Sequence, residues 1–340
     1  MGSCVSKSGQ VAGEDENNEE EEEQYEEDED EDAFLIKTVP FADFVFQNEP
    51  IIHDYEFIKC VSSKSFSSIY LVKNVQTNRY FIAKVYQFSQ FIIKDAEENI
   101  QPYYRIQNSL DIVSELNHRY IISLVDAFTD EITNTLNIIM PLAALGNLKT
   151  LYRKKQCTQS LINLCFLQTA MALSYMHSKN IVHRDVKPEN ILAISEDLFV
   201  LTDFYLAQHV KDDEKVSDIT GTIGFLAPEI FNGNEYSPKP ADVWAFGVSL
   251  YEICFGKLPF NIETNEEYSY LEAFEHVKLC LDTNELEIPT DDKMLSDLLK
   301  KILQLSPANR PTFDQIIADP FFDPARPVEK EIEKEDNQYQ

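Results

Sequence analysis

The chain has 340 residues, of which 44% are hydrophobic, and a formal net charge of -30. This apolar content is enough for one large core or two modest ones. The six cysteines are scattered, with no CxxC pair and no histidine cluster: Cys4, Cys60, Cys157, Cys165, Cys254 and Cys280. This pattern favours neither a disulfide framework nor a zinc site, and it indicates a reducing, intracellular compartment.

Two further classes of protein are disfavoured by the same survey. No apolar run approaches the roughly 18 residues that a membrane-spanning helix needs, and the first residues lack the apolar stretch of a secretory signal. Nucleic-acid binding requires clustered Lys and Arg to neutralise phosphates, and this acidic chain has no basic stripe. We therefore expect no nucleic-acid partner.

Residues 1–13 fit an acylation signal. Gly2 follows Met1, Ser6 stands at the position expected for N-myristoylation, and Cys4 is a candidate for palmitoylation. One myristoyl chain gives only marginal membrane affinity, so Cys4 would supply the second anchor. The pattern predicts a protein held at the cytoplasmic face of a membrane, with an unmodified polar leader as the alternative.

Residues 14–50 predict an acidic, disordered linker. Residues 14–32 hold fifteen acidic side chains and no basic one, which is half of the net charge of -30. Self-repulsion extends such a segment, and it has almost nothing to bury. We interpret it as a solvated spacer, with a specific acidic docking segment as the alternative.

The next part of the chain changes character at Gly146 and Asn147. From Tyr55 to Met140, β-branched and aromatic alternation predicts strands, followed by a helix that ends in DIVSELNH. Beyond the Gly–Asn turn, residues 161–179 are apolar over most of a helical circumference, and the segments ADVWAFGVSLYEICFG and MLSDLLKKILQL also predict helices. A small β-rich lobe therefore precedes a larger helical one.

Three motifs in the second lobe carry the chemistry. IVHRDVKPENIL (residues 181–192), LTDFYLA (201–207) and GTIGFLAPE (221–229) follow one another and are joined by DVWAFG and RPT further on. Their order and spacing resemble the catalytic core of eukaryotic protein kinases. The resemblance implies a two-lobed α+β kinase domain over residues 55–322, with an N-lobe at about 55–142, a C-lobe at about 146–322 and a charged tail at 323–340.

The resemblance also implies roles for individual residues. Asp185 would accept the proton of the substrate hydroxyl, and Lys187 would stabilise the transferring phosphate. Asn190 and Asp203 would hold Mg²⁺, a hard cation that prefers oxygen ligands. Lys84, in FIAKV, would hold the α and β phosphates of ATP.

A second group of family positions is structural. Glu229 would pair with Arg310, Asp242 would brace the turn that contains Asp185, and Trp244 would pack in the core. The combination of Lys187 with Thr222 resembles the serine/threonine branch. Within that branch the chain looks most like the calmodulin-dependent kinases and their upstream kinases.

The turn VSSKSFSSI departs from the family's glycine-rich loop. Ser62, Lys64 and Ser67 stand where glycines are expected, and Ile69 stands at the valine position. Glycine tolerates positive φ and close backbone approach to phosphate, whereas these residues carry a Cβ. Serine hydroxyls and the Lys64 ammonium replace part of the lost interaction, so we expect a relaxed lid and weaker nucleotide affinity.

Two other family positions are altered. Ser109 stands where a helix glutamate would pair with Lys84, which leaves Asp203 as the expected partner of that lysine. Tyr205 replaces the glycine of DFG and should restrict inversion of this segment more than it harms metal binding. By contrast the hinge is intact: Met140 falls at the gatekeeper position, the carbonyl of Pro141 could accept from the adenine amine, and the N–H of Ala143 could donate to the ring.

The activation segment carries a fixed charge where many kinases need phosphorylation. Arg184 precedes the catalytic Asp185, and the position three places before Gly221 is Asp218. A carboxylate there could bind the guanidinium in a bidentate way, which predicts a segment ordered without an upstream kinase. The alternatives are a solvent-exposed aspartate or phosphorylation of Ser217 or Thr220 nearby.

Substrate choice also has a sequence signal. Glu189 in KPEN and Glu252 in LYEI match positions that face a substrate arginine in kinases that prefer basic sites, and two carboxylates suit a guanidinium. The alternative is two ordinary surface glutamates. Taken together, the sequence predicts a monomeric, ATP- and Mg²⁺-dependent serine/threonine protein kinase. The rival hypothesis is a pseudokinase that acts as a membrane-tethered scaffold or allosteric partner, favoured by Ser109 and the glycine-free loop.

Overall fold

The computed structural model of the chain describes residues 51–63, 67–87, 100–263, 265 and 267–336, with the backbone alone for residues 100–103 and 332–336. The predicted acylation sites Gly2 and Cys4, the acidic linker and Lys64 lie outside the described residues. Among the helices that are described, none is both long and apolar enough to cross a bilayer.

A six-stranded antiparallel sheet forms the first lobe. Its strands are, in chain order, β1 (Ile51–Ile52), β2 (Tyr55–Ser63), β3 (Ser68–Asn74), β4 (Tyr80–Gln87), β5 (Asp126–Asp130) and β6 (Thr135–Pro141). In space the order is β1-β2-β3-β4-β6-β5. Alternate residues of the central strands, such as Val72, Ala83 and Val85, are almost fully buried, as expected for a pleated sheet with one face against a core.

One helix, α1 (Ile100–Glu115), joins strands β4 and β5 of this sheet. Ile106 and Ile112 on this helix are both buried, in two different apolar clusters. Ile106 packs with Tyr86 of β4 and Ile138 of β6, so the helix lies against the part of the sheet that carries Lys84. The helix predicted before His118 is therefore confirmed.

The second lobe is built from helices around a single large core. They are α2 (Leu148–Arg153), α3 (Gln159–Ser178), α4 (Pro238–Phe255), α5 (Tyr270–Thr283), α6 (Lys293–Ile302), α7 (Phe313–Ile317) and α8 (Arg326–Asp336). Helix α3 buries residues on nearly every side, as its all-round apolar sequence predicts. The α+β, two-lobed fold expected from the sequence is confirmed.

Two short antiparallel pairs position the motifs of the second lobe. Strand β7 (Ile181–Val182) pairs with β10 (Gln208–His209), and β8 (Ile191–Ala193) pairs with β9 (Phe199–Leu201). The segment 183–190 is thus clamped between β7 and β8, and the segment 202–207 between β9 and β10. Because the two pairs share these loops, the HRD and DFY motifs are brought to one place.

Three structural predictions are confirmed by contacts in this lobe. The guanidinium of Arg310, whose side chain is fully buried, donates two hydrogen bonds of 2.7 Å to the carboxylate of Glu229. Trp244 is 1% exposed. Asp242, also 1% exposed, accepts hydrogen bonds from the backbone N–H groups of His183 and Arg184.

The predicted charged tail, residues 323–340, is mostly helical in its described part. Residues 326–336 form helix α8, and Glu329 within it is 5% exposed. Its carboxylate accepts hydrogen bonds from the hydroxyl of Tyr120 and, at 3.1 Å, from the side-chain amide of Gln168. A run of charges resembles a solvated tail in sequence, but two buried donors contributed by distant residues hold this one carboxylate.

Candidate active site

The loop that carries Asp185 is shaped by a buried carboxylate. Oδ1 of Asp242 accepts from the N–H of Arg184 at 2.8 Å, and Oδ2 accepts from the N–H of His183 at 2.9 Å and lies 2.9 Å from Nε2 of His177. Burial by itself would raise the pKa of Asp242, but the His177 ring and these donors outweigh burial and lower it. Arg184 has φ 65°, a left-handed conformation that Asp242 helps to hold.

Around Asp185 the polar groups form a closed network. Thr222 donates its hydroxyl to Oδ1 of Asp185 at 2.7 Å, and the ammonium of Lys187 donates to the Thr222 hydroxyl, also at 2.7 Å. Nζ of Lys187 also lies 3.1 Å from Oδ2 of Asp185. The side-chain amide of Asn190 donates to the backbone carbonyl and to Oδ2 of Asp185, at 2.8 and 2.9 Å.

Lys84, on strand β4 of the first lobe, binds the carboxylate of the DFY motif in the second lobe. Its ammonium donates to Oδ1 of Asp203 at 3.0 Å, so the predicted pairing of these two residues is confirmed. Burial would lower the pKa of Lys84, but the Asp203 carboxylate raises it, and the net direction is upward. Burial would raise the pKa of Asp203, but the Lys84 ammonium lowers it by more. Both side chains are therefore charged at neutral pH.

Asn190 and Asp203 also suit a divalent cation. Asp203 offers an ionised carboxylate, and Asn190 uses its amide nitrogen on Asp185, which orients its oxygen away from that contact. A carboxylate and an amide oxygen are ligands of the type that Mg²⁺ prefers. The donor set therefore fits the ion that the sequence predicts.

The predicted nucleotide residues lie on neighbouring strands. Ile69 pairs across the sheet with Ser62 on one side and with Lys84 on the other. Met140 and Pro141 end strand β6, opposite Ile82 and Phe81 of β4. Ala143 follows in the connection to the second lobe, is 3% exposed, and its carbonyl accepts from the N–H of Gly146.

The described part of the glycine-free turn stays paired, although the register shifts between Cys60 and Ser62. Strands β2 and β3 remain paired up to Ser63 and Ser68, whose hydroxyls lie 3.0 Å apart. Among the described residues, neither Ser62 nor Ser67 has a positive φ, so the backbone at these two positions does not need glycine. Whether the tip of the turn forms a relaxed lid stays a prediction, because it depends on Lys64.

Helix α1 contacts the active site without an ion pair at the family's glutamate position. Ser109 is half-buried on this helix. One turn earlier, the guanidinium of Arg105 lies 6.0 Å from the ring centroid of Tyr205, and the side-chain amide of Asn108 donates to the backbone carbonyl of Ala207 at 2.9 Å. Arg105 and Asn108 were not predicted as site residues, because no local pattern in the sequence points to them.

Tyr86 is a further site residue that was not predicted from the sequence. It is 6% exposed, and the ammonium of Lys84 lies 5.6 Å from its ring centroid. The signal that could have identified it is its spacing, because residues i and i+2 of a strand lie on the same face. Burial raises the pKa of Tyr86, so its hydroxyl stays protonated.

The activation segment contains the predicted pair. Nη1 of Arg184 donates to both carboxylate oxygens of Asp218, at 2.9 and 2.8 Å, while Nε donates to the carbonyl of Leu206. The Thr220 hydroxyl also donates to Asp218, at 2.8 Å. Nearby, Gly221 has φ 125°, and a Cβ there would lie 2.8 Å from the carbonyl oxygen of Arg184, so only glycine fits.

Glu189 and Glu252 lie close enough to influence each other. Burial raises the pKa of Glu252, the nearby Glu189 charge adds to this effect, and the hydrogen bond from Lys149 to Oε1 only partly offsets it. Within the described residues, the buried Oε2 atoms of both glutamates lack a hydrogen-bond partner. The pair is therefore a buried acidic site that is only partly neutralised.

Comparison with known proteins agrees with this geometry. Residues 55–322 match the family described as the protein kinase domain. The chain is 30% identical over 261 residues to serine/threonine-protein kinase 32C of Mus musculus, covering 75% of this chain and 51% of that protein. It is 27% identical over 305 residues to serine/threonine-protein kinase ppk34 of Schizosaccharomyces pombe, covering 80% and 84%.

A third relative is an Aurora kinase of Yarrowia lipolytica, 31% identical over 261 residues, with 76% of this chain and 66% of that protein covered. The chain thus spans about half the length of some relatives and most of the length of others. The placement near the calmodulin-dependent kinases stays a prediction.

The Arg184–Asp218 pair predicts that activity does not require phosphorylation. Asp218→Ala should lower phosphate transfer by about tenfold, because the activation segment loses its fixed counter-charge, whereas phosphatase treatment of the unchanged protein from bacteria should not. Transfer of labelled phosphate measures both effects.

The pH dependence of this effect follows from the pKa of Asp218. Burial raises that pKa, but the Arg184 guanidinium lowers it by more, so the pKa of Asp218 lies below its usual value of 3.8. The carboxylate is then ionised, and the pair intact, at any pH above that value, and the ratio of the two activities should stay constant between about pH 6 and 8. Asp212→Ala, an exposed neighbour, is the control. Silencing by phosphatase alone would place control with Ser217, Thr220 or Thr222 instead.

Proposed function

The chain belongs to the protein kinase family, and on that premise we propose that it is an ATP-dependent serine/threonine protein kinase that transfers the γ-phosphate to hydroxyl groups of protein substrates. The observation that carries this proposal is the network around Asp185, in which Lys187, Asn190 and Thr222 contact the carboxylate directly. Lys84 and Asp203 complete the set across the two lobes.

Each group in the network has a chemical task. Asp185 is held by Asn190 and Thr222 in one orientation, from which its carboxylate can accept the proton of an incoming hydroxyl. Lys187 places a positive charge beside that carboxylate, where negative charge develops on the transferring group. Lys84 supplies a second positive charge for the phosphates that stay behind.

Mg²⁺ would be held by Asn190 and Asp203, and when bound it supplies charge neutralisation to the phosphate groups. The rival hypothesis of a pseudokinase has less support. The groups needed for transfer are all present and form two hydrogen-bonded sets, Lys84 with Asp203 and Asp185 with Lys187, Asn190 and Thr222. Neither Ser62 nor Ser67 of the described part of the serine-containing turn has a positive φ.

The acidic site beside the catalytic loop favours a basic substrate residue. Glu189 and Glu252 each keep a buried oxygen without a partner among the described residues, and burying such an oxygen is costly. A substrate guanidinium would satisfy both oxygens with its forked donors. Lys149 already binds Glu252 and therefore competes with that guanidinium.

A membrane location is proposed from the sequence alone. The Gly2 and Cys4 acylation pattern would supply two acyl chains, which is the number that stable anchoring takes. In this proposal the kinase acts at the cytoplasmic face of a membrane.

The proposed activity predicts the effect of removing one metal ligand. Asp203→Asn should reduce transfer of labelled phosphate from ATP to a mixed basic substrate by at least about a hundredfold, because both the metal and Lys84 lose an anionic partner. Asp323→Asn, at an exposed carboxylate, is the matched control and should transfer normally. Equal activity of the unchanged protein and Asp203→Asn would favour the pseudokinase.

The acidic site predicts substrate preference. On a peptide array, the protein should prefer Arg or Lys a few residues before the target Ser or Thr. Glu252→Gln should weaken this preference by about tenfold, whereas Lys149→Met should strengthen it by removing the competing ammonium. An array profile without upstream basic preference, unchanged in both variants, would show that the two glutamates are only structural.

The acylation pattern predicts that Gly2→Ala moves the protein from the membrane fraction to the soluble fraction of cells. Myristoylation requires that glycine, and palmitoylation of Cys4 would follow it. Cys4→Ser should give partial release, because a single chain binds only marginally. Membrane association that survives Gly2→Ala would contradict the proposal.

A further inference from the structure

Lys84 is paired with a carboxylate that is also the proposed metal ligand. Its ammonium is bound to Asp203, which is also the carboxylate that fits Mg²⁺. If the proposed phosphate transfer is correct, as this inference assumes, the Asp203 carboxylate has to bind the metal and Lys84 at the same time, which divides its negative charge between two cations. With Ser109 at the family's glutamate position, a second means of holding Lys84 and helix α1 is needed.

Tyr86 is placed to hold Lys84. It lies two residues after Lys84 on strand β4, so the two side chains share a face of the sheet. The ammonium lies 5.6 Å from the ring centroid, within the range in which an aromatic ring attracts a cation, and the tyrosine is 6% exposed. Tyr86 also packs against Ile106 of helix α1, which connects this contact to the helix.

Tyr205 is placed to hold helix α1. Its ring packs against the cluster of Tyr86, Ile106 and Ile138, and the guanidinium of Arg105 lies 6.0 Å from its centroid. A glycine at this position would leave that space unfilled and Arg105 without the ring. The carbonyl of Ala207, two residues after Tyr205, accepts a hydrogen bond from the side-chain amide of Asn108, which fixes the helix to the same segment.

We propose that Tyr86 and Tyr205 together take the place of the missing lysine–glutamate ion pair. Tyr205 ties helix α1 to the segment that carries the metal ligand Asp203, and Tyr86 keeps the Lys84 ammonium in position while Asp203 binds the metal. Both are positioning residues that act through Arg105, Ile106 and Lys84.

This arrangement gives a reason for the DFY sequence. Asp203 takes the left-handed backbone conformation, φ 64°, but Tyr205 is not among the described residues with positive φ, so glycine is not required at that position. The tyrosine makes contacts with helix α1 that a glycine could not make, and α1 is the helix that lacks the glutamate. The two departures from the family pattern are therefore complementary.

A double-mutant cycle tests the proposal. Tyr205→Gly restores the family's residue, yet it should lower kcat/KM for ATP by about tenfold, because helix α1 loses its attachment. Ser109→Glu, which restores the family's ion pair with Lys84, should recover most of this loss in the Tyr205→Gly background. Ser109→Glu alone should change activity much less, so the two substitutions should be strongly non-additive.

Matched variants separate positioning from general stability. Tyr205→Phe keeps the ring and should remain close to the unchanged protein, and Arg105→Gln should reproduce part of the Tyr205→Gly loss. Arg79→Gln removes the guanidinium from a similar contact, 5.8 Å from the ring of Phe81, and should have no effect on activity. Tyr86→Leu should raise KM for ATP more than it lowers kcat, because Lys84 contacts the nucleotide already in the ground state.

Hydrogen exchange of helix α1 provides a readout that does not depend on activity. Tyr205→Gly should speed exchange of its amides by about tenfold, and the added Ser109→Glu should slow it again. If the unchanged protein transfers no phosphate but the variants show this exchange pattern, the proposed function fails, whereas the attachment of helix α1 through Tyr205 stands. Additive effects of the two substitutions, or unchanged exchange in Tyr205→Gly, would overturn the inference.

Discussion

The buried carboxylate of Asp242 is the constraint on which the site depends. It accepts the backbone N–H groups of His183 and Arg184 and thereby fixes Arg184 in a left-handed conformation that the chain would otherwise avoid. From that backbone position the Arg184 side chain reaches both Leu206 and Asp218. One buried anion therefore orients the catalytic loop, the DFY segment and the activation segment together.

The charges of the site are balanced locally, although the chain as a whole is strongly acidic. Lys84 neutralises Asp203, Lys187 neutralises Asp185, and Arg184 neutralises Asp218. In the proposed mechanism the carboxylates of the first two pairs have a second task, metal binding for Asp203 and proton acceptance for Asp185, whereas Asp218 occupies Arg184 in place of a phosphate. The net charge of -30 says nothing about this arrangement, since half of it lies in residues 14–32.

Of the departures from the family pattern, the serine-containing turn and Ser109 fall on the first lobe and Tyr205 on the second, and they change how elements are joined rather than which catalytic groups are present. Ser62 and Ser67 occupy backbone conformations that any residue adopts. Ser109 is a neutral residue at the position on helix α1 where the family has a glutamate, and its neighbour Asn108 donates a hydrogen bond to the carbonyl of Ala207. Neutral and aromatic contacts therefore hold helix α1 where the family pattern predicts an ion pair.

The sequence by itself determined the fold class, the helices of the second lobe and the groups around Asp185, because these depend on local periodicity and on motifs whose residues are close in sequence. It also predicted the Arg184–Asp218 and Lys84–Asp203 pairs, from family order. Only the tertiary structure decided that Glu329 is buried and that Lys149 binds Glu252. Each of these contacts joins residues more than a hundred positions apart, and which donor reaches which carboxylate depends on packing that no local pattern encodes.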